Sequence, residues 1–231
     1  SDADKYKAIW REYGKVIKEG VSIDWKNRDA IAELCRFDSM NTAEGELISL
    51  SQYVKAMPEA QQEIYYITGP SRKSLEQSPH VEAFRKRGFD VLFMTDPVDE
   101  WFVQSTHEFE KRKLRSVAHG DVDLGDEEKK DTDKAAEDIK AAVGAVKKAL
   151  GDRVKDVRVS RRLTNSASCL VAAEGDMGVN MERIMRIMGE DAPNAKRILE
   201  LNPESAIVKN INTLAEREAD SERVGLWAEL L

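Results

Sequence analysis

Residues 63–94, EIYYITGPSRKSLEQSPHVEAFRKRGFDVLFM, decide the fold. Glu63–Thr68 is a short run rich in β-branched and aromatic residues, closed by Gly69-Pro70, and Phe89–Met94 (FDVLFM) reads as a second buried strand. The stretch between them is helical, restarts at Ser78-Pro79 and carries Val81, Phe84 and basic residues up to Gly88. Strand, helix and strand over roughly thirty residues predict a βαβ unit with parallel strands. Asp96-Pro97 then opens a short helix with Asp96 as N-cap, Asp99 in its first turn, and Trp101 and Phe102 at its start. Upstream, Tyr6, Ile9, Trp10, Tyr13 and Ile17 form the stripe of a helix over residues 3–18 that Gly20 should stop. A second helix follows Asn27 with Ile31, Leu34 and Cys35 inward, then a short extended RFDSM. Ser49 and Gln52 have capping-box spacing for a brief helix ending at Pro58. The first half therefore reads as a three-layer αβα unit, and the whole chain as α/β (α+β).

Residues 111–128 are the expected boundary. A basic run (Lys111, Arg112, Lys113, Arg115) leads to Gly120, then to Asp121, Asp123, Asp126, Glu127 and Glu128. The acidic tract misses the spacing of a calcium loop, so a hydrated linker over 121–132 is the expectation. A helix over 133–150 follows, with Ala135, Ile139, Ala142, Val143, Val146 and Leu150 inward and Gly151 at its end. Residues 154–162, 168–173 and 197–201 read as strands. Asn202-Pro203 starts a helix carrying Ile207, Ile211 and Leu214, and a last helix near Ser221 lines up Val224, Trp227, Ala228 and Leu231. That helix is still amphipathic at the last residue, which suggests an interface completed by something further.

Residues 176–189, DMGVNMERIMRIMG, stand apart. Met177, Met181, Ile184, Met185 and Met188 fall on one helical stripe, with Glu182, Arg183 and Arg186 expected to face away. An apolar stripe normally faces a core, yet methionine is also over-used on surfaces that fit many partners. Trp101 divides the same way between a core anchor and a protruding binding residue.

Composition narrows the function classes. The 231 residues are 41% apolar and 34% charged, with a net charge of −7, which argues against a duplex nucleic-acid binder. Two cysteines make no disulfide framework and fit a reducing, cytoplasmic setting. No apolar run reaches membrane-spanning length. His80, His107 and His119 fit no metal or nucleophile pattern, and His80 is expected at an exposed position. No phosphate loop is present. A small α/β ligand-binding or enzymatic domain stays open, its site beyond the strand ends near Gly69 and Thr95-Asp96.

The runs KYKAIWREYGKVIKEG, LCRF, EIYYITG, SPHVEAFRKRGFDVLFMTDPVDEW, VKDVRVSRRLTNSASCLVA and ILELNPESAIVK, in this order, resemble the ninety-kilodalton heat-shock chaperones, nearest in their bacterial form. Only Glu110-Lys111-Arg112 departs, where that family tends to a glycine turn. The resemblance implies that residues 1–120 are the small αβα part of the middle domain, 121–132 a linker, and 133–231 the C-terminal dimerisation domain lacking its final helix. It implies an ATP-dependent chaperone whose ATP and magnesium site and catalytic arginine loop lie outside this stretch, leaving it no cofactor and no catalysis. Its partners would be unfolded or partly folded client proteins and a second copy of itself, with no nucleic acid and no membrane. By motif the client surface would fall on Trp101, Met177, Met181, Ile184 and Met185, with Met188 ending the stripe, which reverses the core reading of both sites. The dimer face would involve Val224, Trp227, Ala228 and Leu231. Burying four such side chains gives about 6–12 kcal/mol gross, against roughly 4–15 kcal/mol for association. A single patch should therefore bind weakly and gain from a second contact or a second protomer.

Overall fold

The computed structural model describes residues 2–122, 124, 134–218 and 222–231; Asp123, Asp126, Glu127, Glu128, Asp133 and Ser221 lie outside them. The chain forms two compact units. One comprises Ser1–Gln77 and Phe84–Val117, the other Ser78–Ala83 and Ala118–Leu231.

The first unit is built on a five-stranded sheet of β1 (Asp38–Ser39), β2 (Ile64–Thr68), β3 (Leu92–Met94), β4 (Glu108–Phe109) and β5 (Arg112–Ser116), in the order β1-β3-β2-β5-β4. β3, β2 and β5 run parallel, and antiparallel β1 and β4 close the edges. Along β2 the side chains alternate between two covered faces. Ile64 joins a core with Trp10, Phe37, Leu50, Tyr53, Leu92 and Phe102, while Tyr65 packs edge-on against Phe84 with 4.7 Å between ring centroids. A central strand covered on both faces is what its unbroken apolar run predicts. The helices are α1 (Asp2–Ile23), α2 (Arg28–Leu34), α3 (Leu50–Ala56), α4 (Arg72–Glu76), α5 (Glu82–Arg87) and α6 (Asp99–Ser105). The Ser49 capping box forms as expected: its hydroxyl accepts the Gln52 N–H at 3.1 Å, and Gln52 Oε1 accepts the Ser49 N–H at 2.8 Å.

Three local expectations are corrected here. Gly20 does not stop α1, which runs on to Ile23. Gly20 faces Ile31 of α2, where even a Cβ would meet only an ordinary contact at 3.5 Å, and Val21 beyond it is buried, so the packed helix continues past it. The basic run expected at the boundary is strand β5, with Arg115 turned to Glu63 at 3.5 Å. β4 and β5 meet through the two-residue turn Glu110-Lys111, both with positive φ (47° and 62°), the backbone that glycine adopts most easily. Asp96 is not the side-chain cap of α6. Its carboxylate is drawn to Lys18 and Lys15, and Asp99 Oδ2 accepts the Asp96 N–H at 2.9 Å in its stead.

The second unit has a three-stranded sheet of β6 (Asp156–Val159), β7 (Ser168–Val171) and β8 (Ile198–Leu201), with β8 in the middle, parallel to β6 and antiparallel to β7. Val157, Leu199 and Leu201 bury against α7 (Lys140–Leu150), α9 (Ala206–Arg217) and α10 (Glu222–Glu229) through Ile139, Ala142, Val146, Val208, Ile211 and Ala228. Helical residues 134–138 lead into α7. On α9 the inward residues are Val208, Ile211, Asn212 and Ala215, and Ile207, expected inward, is 44% exposed. α9 begins after Ser205, and Asn202 is buried, its amide donating to the Ser166 carbonyl at 2.9 Å.

Beside β8 lies a buried ionic cluster. Arg162 meets Glu200 at 2.8 Å, Arg158 meets the same carboxylate at 2.7 Å, and the Ser160 hydroxyl donates to it at 2.8 Å. The turn Pro79–Val81 and the start of α5 also belong to this unit, and Glu82 accepts the backbone N–H groups of Thr164, Asn165 and Ser166 at 2.7–3.1 Å. His80 of that turn is not exposed as expected. Its Nδ1 is shut off from water with no hydrogen-bond partner, and burial, with Arg162 and His119 nearby, pulls its pKa down to about 3.

Candidate functional site

In the first unit, Trp101 sits one residue before the fully buried Phe102, so α6 points one ring inward and leaves the other half-exposed. Trp101 borders an open groove of about 380 Å³ lined by Glu19, Ser22, Ile23, Pro97 and Val98. Ile23 is 77% exposed, which makes the groove more apolar than Trp101 alone suggests. A buried charge cluster fixes its wall: Lys18 Nζ lies 2.7 Å from Asp99 and 3.0 Å from Asp96, tying α1 to the start of α6. Burial pushes the Asp99 carboxyl up to about 6, against the pull of Lys18. Burial opposes charge on Lys18 as well, but the two carboxylates outweigh it and hold its pKa above the usual lysine range.

In the second unit the methionine stretch is helix α8 (Val179–Ile187), entered at Gly178. Gly189 closes it at φ 78°. The Glu190 N–H bonds the Met185 carbonyl at 2.9 Å and the Gly189 N–H bonds that of Arg186 at 3.2 Å, a Schellman cap that requires the left-handed residue. Ile184 is buried, Met177, Met181 and Met185 are half-buried, and Met188 is 60% exposed. The most open apolar residues are two the periodicity did not single out, Val179 (62%) and Ile187 (73%). Glu182, expected to face away, is buried because Arg197 reaches it from just before β8. Arg197 also donates to the Met177 carbonyl at 2.6 Å, so one guanidinium clamps both ends of the first helical turn. Nothing local in the sequence announces a partner this far along the chain.

On α10, Val224 packs with Ala145 and Ala215, and Ala228 joins the main core. Trp227 and Leu231 lie half-buried against that core. The open apolar positions of this C-terminal end are Leu226 (62%) and Leu230 (82%), with Leu170 of β7 at 50%. They were missed because the opposite face of the same helix carries the more continuous apolar stripe.

No group of three or more His, Cys, Asp and Glu residues able to hold a metal occurs among the described residues. Cys35 and Cys169 are buried free thiols, and burial pushes both up to about 12, away from the thiolate a nucleophile needs. At the strand ends where a ligand was the alternative expectation, Gly69 is packed against Leu75 and Asp96 is engaged by Lys18 and Lys15.

Two α/β units, each with a buried ion pair beside an incompletely covered apolar helix, make up the described fold. The chain belongs to the Hsp90 family, since the family described as Hsp90 protein matches residues 1–231. It is 48% identical over 235 residues to the "Chaperone protein HtpG" of Geobacter sulfurreducens, covering 100% of this chain and 36% of that one. It is 47% identical over 232 residues to the protein of that name from Burkholderia ambifaria, and 44% over 236 residues to that of Aromatoleum aromaticum. The chain thus spans 36% of the length of these curated relatives.

Proposed function

We propose that this chain is the part of an ATP-dependent Hsp90-type chaperone that holds partly unfolded client proteins and joins two copies of the chaperone, with no catalysis of its own. The observation that carries the reading is α8, whose apolar residues are incompletely covered from Val179 to Met188 while a buried arginine holds its backbone in place. Client contact is assigned to Met177, Met181, Met185 and Met188 with Val179 and Ile187, supported by the Trp101 groove; Ile184 props the helix from below. ATP and magnesium would act in parts of the longer chaperone outside these residues. Self-association is assigned to the C-terminal end, where Leu226 and Leu230 are open beside Trp227 and Leu231, while Val224 and Ala228 support the helix from inside. The net charge of −7 disfavours nucleic acid as a partner, and no described helix is long and apolar enough to cross a membrane. Cytoplasmic action on unfolding proteins is consistent with both.

The test is a titration of the chain against a destabilised, partly unfolded protein without nucleotide, repeated with Met181→Ser plus Met185→Ser and with Ile187→Ser plus Met188→Ser. Circular dichroism first confirms that each variant folds. Affinity should fall at least tenfold in both double variants. Unchanged binding in both would remove α8 from the site, and a loss in Trp101→Ala alone would move it to the groove.

A further inference from the structure

A second cavity in the first unit, beside the N-terminal half of α1, belongs to none of the surfaces above. It encloses about 280 Å³ and is lined chiefly by Tyr6, Lys7, Trp10, Arg11, Arg36 and Leu47. Its floor is aromatic, with Tyr6 and Trp10 stacked at 6.5 Å between centroids and 28° between planes. Arg36 lies over Tyr6 with its guanidinium carbon 4.7 Å from the ring centroid. Its Nη1 donates to the carbonyls of Glu33, Leu34 and Cys35 at 2.9–3.0 Å, so this cation is held rather than swinging. Lys7 and Arg11, one helical turn apart on α1, are exposed and form no ion pair with any described residue. Gln52 spends its Oε1 on the Ser49 N–H, leaving an amide donor at the same wall. The chain carries a net charge of −7, yet the cavity lining holds three cations and no carboxylate.

We propose that this cavity receives an acidic peptide segment of a partner protein. One apolar side chain enters over Tyr6 and Trp10 against Leu47, and carboxylates flanking it in sequence meet Lys7, Arg11 and Arg36. A peptide fits better than a free small molecule on two counts. The volume suits a single side chain and falls below the roughly 300–1,000 Å³ usual for a compact ligand. Two of the three cations stand at the solvent side, where a passing chain presents its neighbours. Aromatic floor and charged rim then divide the labour, the first supplying buried area and the second steering and register.

The probe is a short blocked peptide with one leucine between aspartates and glutamates, titrated by calorimetry into the whole chain. Its affinity should drop at least tenfold when lysines replace the acidic residues, when glycine replaces the leucine, and when the chain carries Lys7→Glu with Arg11→Glu. Binding should also weaken steeply with salt. Both substituted positions are exposed, so circular dichroism and Tm should not change; if that pair misfolds, Lys7→Gln with Arg11→Gln is the replacement and the same drop is required. Equal affinity for the basic peptide, or no loss in a folded variant, overturns the proposal. Tighter binding of inorganic phosphate or adenosine monophosphate than of the peptide also overturns it, in favour of a small-anion site.

Discussion

Single residues carry costs in this chain that substitution can expose. Lys111 holds φ at 62° in the tight β4–β5 turn, a region where a side chain is strained and glycine is not. Relief of about 1–2 kcal/mol of left-handed strain outweighs the roughly 0.4–1 kcal/mol that glycine's freedom in the unfolded chain costs, so Lys111→Gly should stabilise the protein by about 0.5–1 kcal/mol, read as a raised midpoint in urea at unchanged slope. His80 works in the opposite direction. Its pKa is pulled down to about 3, so the fold accepts only the neutral ring, whereas the unfolded chain protonates near pH 6.5. The stability it permits is present above that value and is lost as the pH falls through 6.5 toward 3. Between pH 7.5 and pH 5 the loss should be about 1–2 kcal/mol, measured by denaturation at the two pH values. His80→Gln should flatten that slope. A slope identical in His80→Gln would show that other groups cause it.

At the scale of elements, α8 is the telling case. Breaking its clamp with Glu182→Ala leaves Arg197 buried without its carboxylate, which should cost about 3 kcal/mol and speed amide hydrogen exchange across α8 first. Gly189→Ala should cost about 1 kcal/mol at the same helix's end, visible as the same local gain in exchange with a smaller drop in Tm. These elements also show how far the sequence can be read. β2, β3 and the Ser49 capping box were legible because their signals are local: an apolar run and a three-residue spacing. β5 was not, because its lysines and arginines look like a solvated boundary until Glu63 and the neighbouring strands are in place. The inner face of α8 was misjudged for the same reason. Glu182 reads as solvent-facing until Arg197, 15 residues on, arrives to neutralise it. Gly20 reads as a stop, yet helix packing against Ile31 overrides it.

At the scale of the whole molecule, the two units present different open surfaces, and their contributions separate by mutation. Leu226→Glu with Leu230→Glu alters only exposed positions, so unfolding should shift by less than about 0.5 kcal/mol. Any self-association through α10 should nevertheless vanish in sedimentation velocity over a range of concentrations. Retained association would move the interface to another face. Membership of the Hsp90 family was legible from runs spread over most of the chain; which apolar residues stay open was legible only in part, since exposure is decided by what packs beneath. The Glu82 carboxylate, which accepts the N–H groups of residues 164 to 166, has a consequence in time rather than in space. Its partner amides lie 82 or more residues downstream, and a ribosome adding about 5–20 residues per second needs roughly 4–16 s to reach them. During that interval Ser78–Ala83 exists without the backbone it will cap. The nascent chain therefore carries, for that interval, an unfinished strip whose backbone partners have not yet been made.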